Sequence, residues 1–233
     1  MKRAMPCILA CGLLLVCGCA ENRLEPKDAL AYSNRGAAYD MQGEYDKAIA
    51  DYTEAIRLDP KDVKAYCNRG IVYRKKGEYD KAIADCSEAI RLDPKYAVAY
   101  CNRGAAYDKQ GAHDKAIADC AEAIRLDAKC AVAYHNRGVA YGAKGDYDKA
   151  IADCTEAIRL DPNLAMAYYN RGVAYQNKQD YDKAIADCTK AIRLDPKLAG
   201  AYHIRGIVYQ KKGDYSRAEK DFEQAQKLGF KPR

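Results

Sequence analysis

The sequence has no large excess of charge of either sign. Its formal net charge is +6, from 39 basic and 33 acidic residues, and acidic and basic residues are interspersed along the chain. A nucleic-acid-binding domain normally concentrates its basic residues in one patch, so we expect no nucleic-acid partner. The sequence also has no tryptophan and only seven prolines, while 49% of its residues are hydrophobic. This composition is typical of a folded, soluble body.

Residue patterns that carry chemistry are also missing. There is no glycine-rich phosphate loop and no Ser/His/Asp arrangement. The three histidines, His113, His135 and His203, are too few and too widely separated to share a metal ion. We therefore predict no enzymatic activity, no metal, no cofactor and no small-molecule substrate.

The one long apolar run lies at the N-terminus, in "MKRAMPCILACGLLLVCGC". It is shorter than the roughly 20 apolar residues that a membrane-spanning helix needs. A basic start, an apolar run and small residues are typical of a secretory signal peptide, which we place at residues 1–18. The ending "VCGC" before Ala20 resembles the lipobox of bacterial lipoproteins. That resemblance implies lipid on Cys19, a tether over residues 19–28, and an outer-membrane location facing the periplasm.

Two alternatives to this anchor stay open. One is a plain signal peptide that is cut near Ala20. The other is a cytoplasmic protein, because seven cysteines follow Cys19 and an odd number is unusual in an exported chain.

From Ala29 onwards the sequence repeats every 34 residues, which is typical of a solenoid. In the first block Tyr32, Gly36 and Tyr39 share one helical face, and Gly43 ends that helix. A second helix follows, and Pro60 ends it. The blocks are 29–62, 63–96, 97–130, 131–164, 165–198 and 199–232.

At these residues the chain resembles the tetratricopeptide repeat family. The resemblance implies an all-α fold: a right-handed α-solenoid of six helix-turn-helix repeats. It also implies a concave groove lined by the first helix of each repeat. Two outward positions that are isoleucine in blocks one to five become Glu219 and Gln226 in block six. A last helix needs such a polar outer face, so we expect block six to be the cap, with no further domain after it.

Two ladders of opposite charge run through the repeats. Every block has an arginine before its glycine and an aspartate sixteen residues later, which predicts an ion pair between the two helices. The alternative is an arginine track for acidic ligands. The predicted pairs are Arg35 with Asp51, Arg69 with Asp85, Arg103 with Asp119, Arg137 with Asp153, Arg171 with Asp187, and Arg205 with Asp221.

Variation within the chain is concentrated at a few positions of the repeat. The second and twelfth positions vary, and so does the fifth, which faces the groove in the family that the chain resembles. The fifth-position residues are Ser33, Cys67, Cys101, His135, Tyr169 and His203. The sixth position holds an amide that can pair with a peptide backbone, although local hydrogen bonding is an alternative; its members are Asn34, Asn68, Asn102, Asn136 and Asn170.

Four further cysteines, Cys86, Cys120, Cys154 and Cys188, share one core position. Helices of neighbouring repeats pack roughly 8–10 Å apart, which exceeds the roughly 7 Å that a disulfide spans between Cα atoms. We therefore predict structural thiols. Cys67 and Cys101 are the basis of one alternative, a thiol oxidoreductase.

These observations predict a membrane-anchored scaffold that binds a peptide segment or a protein partner in its groove. A self-associating assembly or secretion factor of the cell envelope is the alternative among binding proteins.

Overall fold

The computed structural model describes residues 28–231, and within them all regular structure is helical. The predicted signal peptide, Cys19 and nearly all of the tether lie outside the described residues. No helix of the described part is long and apolar enough to cross a membrane. The helices are α1 Ala29–Gln42, α2 Tyr45–Leu58, α3 Val63–Lys75, α4 Tyr79–Leu92, α5 Ala97–Lys109, α6 His113–Leu126, α7 Ala131–Ala143, α8 Tyr147–Leu160, α9 Ala165–Asn177, α10 Tyr181–Leu194, α11 Ala199–Lys211 and α12 Tyr215–Lys227.

Each repeat is a pair of helices whose ends are set by local chemistry. Asp28 caps α1 by accepting a hydrogen bond from the backbone N–H of Ala31 at 2.8 Å. Gly43 ends α1 in the left-handed conformation, with φ 77°. In repeat five Gln179 takes the same conformation, with φ 63°, although it carries a side chain.

The two helices of a repeat cross at a glycine. A Cβ on Gly104 would lie 2.9 Å from Sγ of Cys120 and 3.1 Å from the backbone oxygen of Ala116. The space between the helices therefore admits only a small pair of residues. The cysteines at the Cys120 position are all buried, in agreement with their predicted place in the core.

Successive helices pack in chain order, and the contacts define an inner and an outer side. Each odd-numbered helix contacts the next odd-numbered one, such as α5 with α7 and α7 with α9. Among the described residues no even-numbered helix contacts another even-numbered helix. The odd-numbered helices therefore lie on the tighter, concave side of the stack. At the far end, Glu219 and Gln226 are exposed, so α12 presents the predicted polar outer face.

Candidate peptide-binding groove

The odd-numbered helices form the wall of a concave groove with a central pocket of about 390 Å³. Four consecutive odd-numbered helices, α3, α5, α7 and α9, contribute to it. Many of its residues occupy the second, fifth, sixth and twelfth repeat positions. The pocket is lined by Arg74, Ala105, Asp108, Lys109, His135, Asn136, Val139, Met166, Tyr169 and Asn170.

The fifth-position residues do not all reach the groove. His135 and Tyr169 line the pocket, but Cys67 and Cys101 are only 0% and 5% exposed. Neither of these two cysteines, which the sequence placed among the groove residues, lines the pocket. The last residue of the same repeat covers each one, Tyr96 over Cys67 and Cys130 over Cys101.

The two end members of this set have other surroundings. Ser33 is half-buried on α1 and lies outside the pocket. His203 stacks on the ring of Phe230, with 4.2 Å between ring centroids. Neither therefore contributes to the central pocket.

The sixth-position amides link neighbouring repeats. Nδ2 of Asn102 donates to Sγ of Cys67 at 3.7 Å, and Nδ2 of Asn136 donates to Sγ of Cys101 at 3.4 Å. Asn102 also donates to the backbone oxygen of Val98 at 2.9 Å, the local bond that the sequence left open. Each of these amides thus contacts the fifth-position residue of the preceding repeat.

The remaining members of the amide ladder differ in exposure and in their contacts. Asn34 is exposed on α1, and Asn68 is half-buried on α3. Asn170 lines the pocket beside His135, with 2.7 Å between Nδ2 and Nε2. Burial lowers the pKa of His135, since desolvation disfavours its charged form.

The arginine and aspartate ladders meet in every repeat. Each arginine donates from Nε and Nη2 to the two carboxylate oxygens of its partner, at 2.7–2.8 Å. The aspartates are buried, so these are bidentate pairs largely shielded from water. Four arginines also reach back one repeat from Nη1 to a hydroxyl, as Arg103 does to Ser87 at 3.0 Å. Because the arginines are used in these pairs, they stabilise the packing of the two helices and do not form an open track for acidic ligands.

The cysteines of residues 28–231 are all free thiols. Desolvation raises the pKa of Cys120, Cys154 and Cys188 to about 12. Cys130 is half-buried at the start of α7, and its interaction with the Cys101 thiol lowers its pKa to about 6. The pKa of Cys67 is lowered as well, by a hydrogen bond with Cys86, but Cys67 is buried. The accessible thiol with a lowered pKa is therefore Cys130, which the sequence did not distinguish. Between residues 28 and 231, no three His, Cys, Asp or Glu side chains gather as a metal site would require.

Several pocket residues were not selected from the sequence. Arg74, Asp108 and Met166 occupy the variable second and twelfth positions, and that variation was the available signal. Lys109 and Val139 occupy the thirteenth and ninth positions, which also vary between repeats, although the sequence analysis did not use them.

Solved structures with the same helical stack were found. The crystal structure of the APC/C hetero-tetramer Cut9-Hcn1 matches with a TM-score of 0.84 and 21% identity, over 88% of this chain and 41% of that chain. This chain therefore spans less than half the length of that protein. MamA matches with a TM-score of 0.59 and 31% identity, over 68% of this chain and 93% of that one. YrrB matches with a TM-score of 0.57 and 22% identity, over 76% and 92%.

None of the curated proteins compared with the chain matches it. Family models do match, and they follow the repeats. The model described as tetratricopeptide repeat matches residues 63–96, 97–130, 131–164 and 165–198. A second model of that description matches residues 199–229, and one described as TPR repeat matches residues 41–77. With helix pairs, crossing glycines and a concave groove in place, the chain belongs to the tetratricopeptide repeat family of protein-interaction scaffolds.

Proposed function

We propose that this chain is a membrane-anchored scaffold that binds an extended peptide segment of a protein partner in its concave groove. One observation carries the proposal. The central pocket is lined largely by positions that vary between repeats, whereas the glycines and the ion pairs that build the scaffold recur. Residues that pack the helices recur because the packing is the same in every repeat. Residues that recognise one particular ligand need not recur.

Apolar side chains on the groove face support binding of a peptide. Val98, Val132 and Met166 occupy the second position of three consecutive repeats and are 44%, 49% and 40% exposed. Neighbouring exposed apolar residues are typical of protein-binding surfaces. YrrB, which has the same fold, is described as "a TPR protein with an unusual peptide-binding site".

The first experiment removes the apolar anchors. The full-length protein, purified with its native N-terminus, is used to capture partners from the membranes of its own cells. Val132→Gln with Met166→Gln should reduce capture of the partner, while both substitutions leave the core untouched. Leu58→Gln is the matched control, because Leu58 is 42% exposed but lies on α2, outside the groove. Equal capture by the double variant and the wild type would place the binding site elsewhere. If the captured partner is another copy of the chain, the groove serves self-association.

The second experiment tests the amides. Asn68, Asn102 and Asn136 are changed to Ala together, and partner affinity is measured. If the amides hold a peptide backbone, each loss costs roughly 0.5–1.5 kcal/mol, or about ten-fold to a thousand-fold together. Helicity should hardly change, because Ala is a better helix former than Asn. Wild-type affinity in this variant would assign the amides to repeat packing alone.

The anchor is a separate part of the proposal, supported by the lipobox-like "VCGC". A lipidated Cys19 would hold the scaffold on a membrane, and Ala20 in place of an aspartate favours the outer membrane facing the periplasm. Cys19→Ser should leave the precursor uncut by the lipoprotein route, as mass spectrometry of the purified protein would show. A mature-sized Cys19→Ser protein that still sediments with membranes would contradict lipid anchoring.

A further inference from the structure

Two thiols of repeat three lie in contact where this repeat joins repeat four. Cys101 is the fifth residue of the repeat, on α5, and Cys130 is its last residue, directly before α7. Cys130 packs over Cys101, and the thiol of Cys101 donates a hydrogen bond to Sγ of Cys130. Nδ2 of Asn136 donates to Sγ of Cys101 at 3.4 Å, which helps to hold that sulfur in place. The two sulfurs are therefore already neighbours in the folded chain.

This pair of thiols is specific to repeat three. In repeat two the same two positions hold Cys67 and Tyr96, and in repeat four they hold His135 and Leu164. Repeat three is the one block of the six with cysteine at both positions. Tyr96 packs over Cys67 in the same way, so packing at this junction does not require a second thiol.

Other thiols of the chain lie close to one another but are out of reach of solvent. Cys67 is hydrogen-bonded to Cys86, and both are 0% exposed. Cys120 lies near Cys101 and is also 0% exposed. Among the described cysteines, Cys130 is half-buried and the other six are buried. A reagent from solvent therefore meets Cys130 first, and the thiol beneath it is Cys101.

The two thiols differ in protonation. The hydrogen bond from Cys101 lowers the pKa of Cys130 to about 6, against desolvation and the carboxylate of Asp127, which both raise it. The same hydrogen bond raises the pKa of Cys101, and burial raises it further. A thiolate is the form that attacks a disulfide. Near neutral pH, Cys130 is therefore the nucleophile and Cys101 remains a thiol.

We propose that Cys130 and Cys101 form a redox-modification site that reacts with disulfides of low molecular mass and closes to an intramolecular disulfide. The Cys130 thiolate attacks one sulfur of the oxidant, forms a mixed disulfide and expels the other sulfur as a thiolate. Cys101 then loses its proton to water and attacks Sγ of Cys130, which expels the second half of the oxidant. Two protein thiols are thereby oxidised to one disulfide, and the oxidant is reduced to two thiols.

The new bond would join α5 to the residue before α7. These two helices contact one another, and α6 lies between them in the chain. An S–S bond is about 2.05 Å long, so the hydrogen-bonded sulfurs must approach each other by roughly 1–2 Å. The bond would fix repeat three to the start of repeat four, and its chemistry does not depend on what the groove binds.

The test uses full-length protein in the reduced state and glutathione disulfide as the oxidant, at about pH 7, where an ordinary thiol is mostly protonated. The exchange is stopped with acid, and the remaining thiols are blocked with N-ethylmaleimide as the protein is unfolded. Mass spectrometry of a digest made without reductant then gives the state of each cysteine. We expect a cross-linked peptide that contains Cys101 and Cys130, while Cys67, Cys86 and Cys120 carry the blocking group.

Three variants separate the roles of the two thiols. Cys101→Ala removes the thiol that resolves the mixed disulfide, so the glutathione adduct on Cys130 should accumulate about ten-fold or more above the wild type. This comparison is made at about pH 8, because loss of the hydrogen bond raises the pKa of Cys130. Cys130→Ala should leave Cys101 unreacted, because Cys101 is only 5% exposed. Cys120→Ala is the matched control: it removes a buried thiol near Cys101 and should leave the yield of the cross-link unchanged.

Three outcomes would overturn the proposal. A stable glutathione adduct on Cys130 in the wild type would mean that Cys101 does not resolve it. A cross-link from Cys101 to Cys120 would give Cys101 a different partner. A folded protein in which Cys130 stays unreacted, when the unfolded protein reacts, would mean that this thiol is not accessible. The cross-link in the wild type needs no variant, so it remains decisive if Cys101→Ala folds poorly.

Discussion

Nδ2 of Asn170 lies 2.7 Å from Nε2 of His135. An amide nitrogen can only donate, so Nε2 must be the unprotonated acceptor. The proton of the ring then sits on Nδ1, which lies 3.2 Å from Oδ1 of Asn136. His135 is thus held as a neutral ring between the amides of two repeats, at the floor of the pocket.

This arrangement predicts a loss of stability in mild acid. Burial lowers the pKa of His135 in the folded protein, with a smaller opposing effect of Asp108, while Lys109 lowers it further. As pH falls below about 6.5, the imidazole of His135 becomes protonated in the unfolded chain but stays neutral in the folded chain. The free energy of unfolding therefore falls by up to about 1.4 kcal/mol per pH unit. Urea unfolding at a series of pH values measures this slope.

His135→Gln is the variant that isolates the effect. It removes the titrating group, so its stability should fall less between about pH 7.5 and about pH 5.5 than that of the wild type. Burial also lowers the pKa of His203, so the stability of His135→Gln should still depend on pH to some extent. An unchanged slope in His135→Gln would mean that folded and unfolded chains protonate this ring equally.

The pairing of Arg103 with Asp119 predicts coupled losses of stability. Arg103→Ala leaves a buried carboxylate unpaired, at a cost of about 1–3 kcal/mol, and Asp119→Ala should cost less because Arg103 is the more exposed partner. The double variant should lose less than the sum of the two single losses. Chemical unfolding of all four proteins completes the cycle, and strict additivity would mean that the two side chains do not interact.

The fourth repeat offers a matched comparison for this cycle. Arg137 pairs with Asp153 in the same geometry, but the hydroxyl that Arg103 finds on Ser87 is replaced there by Ala121. Arg137→Ala should therefore cost less than Arg103→Ala, by roughly the 0.5–1.5 kcal/mol of one hydrogen bond. Equal losses would show that the bond to Ser87 adds nothing to stability.

The sequence was sufficient to predict the features that every repeat shares. Arg103 and Asp119 recur in every repeat with the same spacing, so the period alone predicted the ion pairs between the two helices of a repeat. It was insufficient where one residue folds over another. The burial of Cys101 depends on Cys130 from the end of the same repeat. This is a result of side-chain packing in three dimensions, which a period of 34 residues does not specify.

A left-handed residue in repeat five predicts a stabilising substitution. Gln179 has φ 63° at the place where repeats one to four and six have a glycine. That conformation costs a residue with a side chain roughly 1–2 kcal/mol, so Gln179→Gly should raise the stability by about 1 kcal/mol and the melting temperature by about 2–4 °C. Gly145→Gln is the reverse change in repeat four and should lower both. A lower melting temperature for Gln179→Gly would show that the Gln179 side chain makes a contact worth more than the strain.

Cys130 combines a lowered pKa with access to solvent, whereas Cys67, whose pKa is also lowered, is buried. Cys130 is half-buried, whereas Cys101 beneath it and the core cysteines are buried. The Cys101 thiol is the main reason that the pKa of Cys130 is lowered, and backbone N–H groups of Ala133 and Val132 add to the effect. A thiolate is the reactive form of cysteine, so this residue should react first.

Alkylation of the folded protein with iodoacetamide, followed by peptide mass spectrometry, tests that expectation. The rate at Cys130 should be half-maximal near pH 6 and level off above about pH 7, because a pKa of about 6 makes the thiolate dominant there.

Cys120 and Cys154 are the internal controls and should react only after unfolding, since burial raises their pKa to about 12 and blocks access. Cys101→Ala removes the thiol donor and should move the profile of Cys130 to higher pH. A rate at Cys130 that keeps rising to pH 9, as for an ordinary thiol with a pKa of about 8.5, would show that Cys101 does not activate it. A thiol-based activity would then lose Cys130 as a candidate nucleophile.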